Sequence, residues 1–136
     1  MVKGLNWAAV IAAVIALEVA GFLYYAVAFK DVWTAALGTP AQPKSVGFAQ
    51  GLGMVNTVII VIGLAWLQRQ LNLTSLGATL GVALAAWFFF DFTTMAIDYL
   101  YVGQTSKLVA INMGYQLLAY ALAGIILGAL RPKPAA

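Results

Sequence analysis

Residues 5–29 read LNWAAVIAAVIALEVAGFLYYAVAF, an apolar run longer than the roughly 20 residues that a helix needs to cross a bilayer. Three further apolar runs follow, at about residues 46–67, 75–101 and 108–130. Lys3 and the Ala-rich stretch after it are also typical of a signal peptide. The run is too long for one and contains Glu18, so we expect it to be retained as a span. The sequence therefore predicts four membrane-spanning helices.

The overall composition agrees with this prediction. Of the 136 residues, 64% are hydrophobic and only 8% are charged, whereas a soluble domain carries roughly 25% charged residues. Because four spans use nearly the whole length, we predict a single four-span transmembrane domain over residues 1–136. The net charge of +3 comes mainly from Lys and Arg near the ends of the runs, where they suit anionic lipid headgroups.

The connections between the runs are short and contain helix breakers and caps. Thr39-Pro40 and Gln42-Pro43 interrupt the first connection, and Ser45, Ser75 and Ser106 are candidate N-caps of the second, third and fourth helices. Short connections favour antiparallel neighbours. The predicted fold is therefore all-α: an integral membrane four-helix antiparallel bundle with both termini on the same side.

Basic residues suggest how this bundle is oriented. Four of them fall on the side of the termini (Lys3, Arg69, Arg131 and Lys133) and three on the opposite side (Lys30, Lys44 and Lys107). Cytoplasmic loops carry an excess of Lys and Arg in membrane proteins. The distribution favours cytoplasmic termini.

Three of the four acidic residues, Glu18, Asp91 and Asp98, lie inside apolar runs that contain no Lys, Arg or His. A carboxylate in hydrocarbon costs several kcal/mol unless it is paired, protonated or hydrated. With no basic partner in these runs, the acids must be protonated, wetted by a cavity, bound to a cation or held by neutral donors. Intramembrane acids of this kind are candidates for function.

Depth in the bilayer brings several polar side chains to a similar level. At about 1.5 Å of rise per residue, Glu18 and Asp91 both lie roughly 20–24 Å from the side of the termini. The candidate ligand- or ion-binding residues are Glu18, Tyr25, Asn56, Asp91, Asp98, Asn112, Tyr115 and Gln116. We predict a polar chamber that opens toward the first connection, above a half near the termini that is almost wholly apolar.

A structural role competes with binding for most of these residues. Asn56, Gln116 and the tyrosines belong to types that commonly join helices by hydrogen bonds worth about 0.6 kcal/mol each. Asp98 lies near enough to the membrane surface to be merely hydrated. For Glu18 and Asp91, a functional role is the favoured interpretation.

Small residues spaced four apart form ridges on all four runs. They are Ala8, Ala12, Ala16 and Ala20; Gly47 and Gly51; Gly77, Gly81 and Ala85; and Gly124 and Gly128. Such ridges let helix backbones approach closely in lipid. We expect them to pack mainly within the chain, with a homodimer or larger homo-oligomer as their alternative use.

Short motifs along nearly the whole chain point to a family. They are Asn6-Trp7, Gly21-Phe22-Leu23-Tyr24-Tyr25, Phe29-Lys30 with Trp33, Asp98-Tyr99-Leu100-Tyr101 with Lys107, and Ile111-Asn112-Met113-Gly114-Tyr115. In this order they resemble the bacterial family of small four-helix membrane proteins catalogued as domain of unknown function 1761. Its pattern usually has Trp at the position of Tyr24, and Lys30-Asp31 replaces a Gly-Lys pair. The resemblance implies a four-span protein of the bacterial cytoplasmic membrane and supplies no activity.

Three functions stay open on the sequence alone. The chamber could bind or translocate a proton, a cation or a small amine-like or lipophilic molecule, because unpaired carboxyls favour cations. Alternatively, Glu18 and Asp91 could serve a membrane enzyme as general acid and base on a lipophilic substrate. The ridges would also suit an accessory subunit of a larger membrane complex.

Missing residue types narrow the chemistry further. The chain has no Cys and no His, which removes thiol nucleophiles, iron–sulfur clusters, a Ser-His-Asp triad and haem-ligating His. We expect no metal site and no cofactor. No nucleotide-binding loop occurs and the basic residues are scattered, so we expect the lipid bilayer rather than a nucleic acid as partner.

Overall fold

The computed structural model describes residues 4–38 and 45–131, which form five α-helices and no strand. We label them α1 (Trp7–Ala28), α2 (Lys30–Leu37), α3 (Val46–Gln70), α4 (Leu76–Tyr101) and α5 (Ser106–Ala129). All but α2 are long and apolar enough to cross a membrane. The predicted all-α, four-span architecture is confirmed. The breakers at residues 39–43 and the charges of Lys3, Lys44 and Lys133 lie outside the described residues.

Polar side chains fix the start of each long helix. The side chains of Asn6, Ser45, Ser75 and Thr105 each accept a hydrogen bond from a backbone N–H three residues later. These caps satisfy backbone donors that a helix leaves unpaired at its N-terminus. Ser45 and Ser75 occupy the expected positions, whereas the predicted cap Ser106 is the first helical residue and Thr105 caps in its place.

The first connection contains a helix that the sequence did not predict. Helix α2 follows directly after Phe29, and its Trp33 indole N–H donates to the side chain of Asn112 on α5. The two prolines favoured a loop there, but they come after Gly38, where α2 ends. The helix therefore fits between the end of α1 and the breakers.

The buried core lies in the half of the bundle nearest the termini. It joins the first halves of α1 and α4 to the second halves of α3 and α5. Its members include Ala9, Ala13, Leu17, Val61, Leu64, Ala83, Ala119, Ala123 and Leu127. At the same end, the Asn6 amide donates to the carbonyl of Leu130. This contact confirms that the start of α1 and the end of α5 lie on the same side of the bundle. Residues 46–56 of α3, at the opposite end, are exposed throughout.

Small residues bring α4 and α5 into close contact. A Cβ placed at Gly124 or Gly128 would overlap atoms of Thr79 or Ala83, both of which are buried. The prediction of close packing within the chain is confirmed for these two glycines. It is wrong for these glycines of the ridges on α3 and α4, since among the described residues no atom of another segment lies within 4 Å of a Cβ built at Gly47, Gly51, Gly77 or Gly81.

Two of the long helices widen into π-helical turns. Leu23–Ala28 ends α1 in this form, and Trp87–Phe92 forms the middle of α4. A π-helical turn hydrogen-bonds five residues apart instead of four, and such turns are frequent at functional sites. Each one changes the angular spacing of its own residues and shifts those that follow it, and Tyr25 and Asp91 lie within these two turns.

Candidate functional site

Asn112 is the centre of a hydrogen-bond network that joins four helices. Its side-chain oxygen accepts from the Tyr25 hydroxyl and from the Trp33 indole N–H, both at 3.1 Å. Its amide donates to the Tyr99 hydroxyl at 2.8 Å. The network connects α1, α2 and α4 to α5 at the end of the bundle near the first connection.

Two tyrosines form a reciprocal contact between α1 and α5. The Tyr24 hydroxyl donates to the carbonyl of Ile111, and the Tyr115 hydroxyl donates to that of Leu17, both at 3.0 Å. Each hydroxyl reaches the backbone beside a glycine of the facing helix. A Cβ at Gly21 would lie 2.8 Å from the Tyr115 hydroxyl, and one at Gly114 would lie 2.9 Å from the Tyr24 hydroxyl. These two positions require glycine.

Aromatic rings fill the space between these hydrogen bonds. The ring of Tyr115 lies 5.0 Å from that of Tyr25 and 5.5 Å from that of Tyr24, centroid to centroid. Phe29 stacks on Tyr24 at 4.4 Å. Since Tyr25, Asn112 and Tyr115 already have partners within the protein, their arrangement favours the structural role that competed with ligand binding.

Glu18 lies half-buried on α1 and faces this aromatic cluster. Its carboxyl is close enough to Tyr115 for the two groups to interact electrostatically. Within the described residues it makes no hydrogen bond and no salt bridge. Glu18 therefore borders a region whose other polar groups are engaged with each other.

Asp91 lies half-buried within the π-helical turn of α4. Its Oδ2 atom is buried and has no hydrogen-bond partner among the residues described. Four residues earlier, the indole N–H of Trp87 is also buried without a partner in the described chain. Tyr120 on α5 is near enough to Asp91 to interact electrostatically. The π-turn thus presents an acceptor and a donor that the other residues described by the structure leave unsatisfied.

The two carboxyls interact with different tyrosines of α5. Tyr115 and Tyr120 are five residues apart, which is roughly 140° around a helix of 3.6 residues per turn. Glu18 and Asp91 therefore each have a tyrosine neighbour of their own. A chamber shared by both acids stays a prediction.

The three remaining candidate residues, Asn56, Asp98 and Gln116, make no side-chain hydrogen bond among the described residues. Asn56 and Asp98 are exposed, and Gln116 is half-buried. Trp87 and Tyr120 are the residues that the sequence analysis missed, because Trp87 reads as a packing residue and Tyr120 lies nearer the termini than the predicted chamber.

An apolar cavity of about 230 Å³ lies between α3, α4 and α5. It is lined by Ile60, Gly63, Leu64, Leu67, Ala86, Phe90 and Tyr120. Two of these, Ala86 and Phe90, directly precede Trp87 and Asp91 in the sequence, and Tyr120 is the neighbour of Asp91. Tyr120 therefore connects the cavity to Asp91, although neither Trp87 nor Asp91 is among its lining residues.

A larger cavity, of about 330 Å³, lies at the end of the bundle that carries the termini. Its lining includes Asn6, Gln68, Asn72, Thr79 and Arg131. This corrects the prediction that the half near the termini is almost wholly apolar. These polar residues belong to different segments, and they meet because α1 begins where α3 and α5 end.

Within the described residues, no group of three or more Asp, Glu, His or Cys side chains is placed to hold a metal ion.

No curated protein and no solved structure matches the chain. One family profile does, and its match covers residues 8–128, nearly the whole length. The expected resemblance is thereby confirmed: the chain belongs to the family described as Protein of unknown function (DUF1761).

Proposed function

We propose that the protein binds a small lipophilic amine, or a cation of similar chemistry, within the membrane, and that Asp91 is the carboxylate that receives it. The observation that carries this proposal is the Oδ2 atom of Asp91, which is buried without a hydrogen-bond partner among the described residues. A buried carboxylate without a partner is costly, and a protonated amine bound to it offsets that cost by supplying both charge and donors.

The neighbours of Asp91 suit the same ligand. The aromatic face of Trp87 and the ring of Tyr120 are of the type that attracts alkylammonium groups. No Lys or Arg lies between residues 71 and 106 of the chain, so no basic residue of α4 competes for the carboxyl. The charge of this region therefore favours a cation over an anion.

The adjoining apolar cavity would take the hydrocarbon part of the ligand. Its volume of about 230 Å³ is slightly below the roughly 300–1,000 Å³ of typical ligand pockets. We therefore expect a compact ligand with a short alkyl or single-ring tail. Phe90, which lines the cavity, is 74% exposed, which supports entry from the membrane.

Each alternative function makes a different demand on the protein. An acid–base enzyme needs Glu18 and Asp91 at one substrate, and their separate tyrosine neighbours do not favour that. Translocation of a proton needs only Asp91. It is a case of the same proposal, in which the bound cation is a proton. A homo-oligomer or an accessory role in a larger complex is favoured by the exposed part of α3. From the sequence, we also propose that the protein lies in the bacterial cytoplasmic membrane with its termini in the cytoplasm.

Binding can be tested in nanodiscs of phosphatidylcholine with hexylamine and 1-hexanol, which differ only in the head group. At a concentration of 100 times Kd, a ligand stabilises the folded state by about 2.7 kcal/mol. We expect hexylamine to raise the unfolding temperature of the wild type and of Asp98→Asn, and to leave that of Asp91→Asn unchanged. Asp98 is a matched control, since it is an exposed acid on the same helix.

Two outcomes would contradict the proposal. One is an equal shift for Asp91→Asn and Asp98→Asn, which would assign the effect to the bilayer or to another site. The other is an equal shift by 1-hexanol, which would show that the ammonium group contributes nothing.

A further inference from the structure

The cavity of about 330 Å³ at the end of the bundle near the termini has a strongly one-sided charge. Two arginines, Arg69 and Arg131, line it together with amide and hydroxyl side chains. All four acidic residues of the chain lie elsewhere, at Glu18, Asp31, Asp91 and Asp98. No acidic side chain therefore lines this cavity beside Arg131.

Arg131 has a donor that the protein leaves unsatisfied. Its Nη1 atom is buried and has no hydrogen-bond partner among the described residues. Leaving a buried donor of this kind unsatisfied destabilises the protein, and more so when the group is charged. An acceptor at this position would remove that destabilisation.

The amides around Arg131 do not supply the missing acceptor. The Asn6 side chain accepts from Ala9 and donates to the carbonyl of Leu130. The Gln68 amide donates to the carbonyl of Thr79. Asn72, which lines the same cavity, makes no side-chain hydrogen bond within the described residues. None of these amides accepts a hydrogen bond from Arg131, so its buried donor stays unsatisfied among the described residues.

We propose that this cavity binds a phosphate group, with Arg131 as its principal donor and Asn72 as a second one. Guanidinium groups match phosphate oxygens in geometry and charge. The cavity volume falls at the lower end of the roughly 300–1,000 Å³ of ligand pockets, which suits a phosphate with a glycerol-sized substituent. Such a group could belong to an anionic phospholipid, whose headgroup lies at this level of the bundle, or to a soluble phosphate ester.

The experiment compares lipids and a soluble ester on the full-length protein in a non-ionic detergent at 150 mM salt. Native mass spectrometry counts the phosphatidylglycerol or phosphatidylcholine molecules that stay bound to folded protein. Glycerol 1-phosphate is then added as a competitor. Lys107→Gln is the matched control for Arg131→Gln, since Lys107 is an exposed basic residue at the opposite end of α5.

We expect wild type and Lys107→Gln to bind phosphatidylglycerol in preference to phosphatidylcholine. Arg131→Gln should bind phosphatidylglycerol about tenfold more weakly, which corresponds to about 1.4 kcal/mol. If glycerol 1-phosphate displaces the lipid, the soluble ester is the ligand class, and if it does not, the lipid headgroup is. Equal binding by Arg131→Gln and Lys107→Gln, or no preference between the two lipids, would overturn the proposal.

A second variant guards against misfolding of Arg131→Gln. Asn72 has a positive φ of 49°, a conformation that Gly adopts readily. Asn72→Gly should therefore keep the turn while removing the amide, and should weaken phosphatidylglycerol binding severalfold. An unchanged affinity in Asn72→Gly would remove the second donor from the site.

Discussion

Asn112→Leu is expected to destabilise the bundle by about 2 kcal/mol. The substitution keeps the number and branching of the side-chain heavy atoms and removes three hydrogen bonds, to Tyr25, Trp33 and Tyr99. Interhelical hydrogen bonds in membrane proteins contribute about 0.6 kcal/mol each on average. Three such bonds give about 1.8 kcal/mol, provided that the partners left behind find no equivalent acceptor or donor.

The measurement is reversible unfolding of the purified protein in mixed micelles with an increasing fraction of sodium dodecyl sulfate. Circular dichroism follows the loss of helix, and tryptophan fluorescence follows the change in environment of the four tryptophans, Trp33 among them. Asn56→Leu is the matched control, since Asn56 is exposed and makes no side-chain hydrogen bond in the described residues. We expect this control to change the free energy of unfolding by less than about 0.5 kcal/mol.

If Asn112→Leu proves as mild as Asn56→Leu, the network does not hold the four helices together. The structural interpretation of Tyr25 and Asn112 would then fail. Both residues would return to the set of candidate ligand-binding groups.

Two further substitutions test other parts of the structure. Gly128→Ala should destabilise the protein by about 1–3 kcal/mol, because its Cβ would overlap the Thr79 hydroxyl. Gly81→Ala, where space is open, should be neutral or stabilising by up to about 1 kcal/mol in the same unfolding assay, and equal effects would contradict the assigned packing. Glu18→Gln should leave the hexylamine-induced rise in unfolding temperature intact, because Glu18 interacts electrostatically with Tyr115 whereas Asp91 interacts with Tyr120. Loss of that rise would support a chamber shared by both acids.

The four spans could be predicted from the sequence because the membrane allows few alternatives. A backbone in lipid must satisfy its own hydrogen bonds, so long apolar runs become helices. The start of a helix is also readable when a polar residue precedes an apolar run, as Ser45 and Ser75 do. Thr105 and Ser106 are adjacent hydroxyl residues that can both cap a helix, so the sequence pattern does not show which of them is the N-cap.

The faces of the helices were harder to predict. A helical wheel assumes 100° per residue, and the π-helical turns at Leu23–Ala28 and Trp87–Phe92 break that assumption. The sequence also gives no sign of which ridge packs. Gly124 and Gly128 contact α4, whereas Gly77 and Gly81 have the same spacing and contact nothing within 4 Å. Only the relative rotation of the helices decides between them.

The two cavities depend on contacts between distant segments. Asn6, Gln68 and Arg131 each lie at the end of a different helix, where a polar residue is expected on general grounds. Their meeting point follows from the packing of α1, α3 and α5 and not from any local motif. The same holds for Asp91 and Tyr120, which are 29 positions apart in the sequence.

The most direct test of the proposed function is whether an amine protects Asp91 from chemical modification. Dicyclohexylcarbodiimide is a lipophilic reagent that reacts with carboxyl groups, and mass spectrometry of peptides reports its adduct at each acid. Because a primary amine would itself couple to the activated carboxyl, the ligand here is the tertiary amine N,N-dimethylhexylamine. At about ten times its Kd, modification of Asp91 should slow about tenfold while that of Asp98 stays constant. An unchanged rate at Asp91, or an equal slowing at Asp98, would contradict a role for Asp91 as the anchor of the ligand.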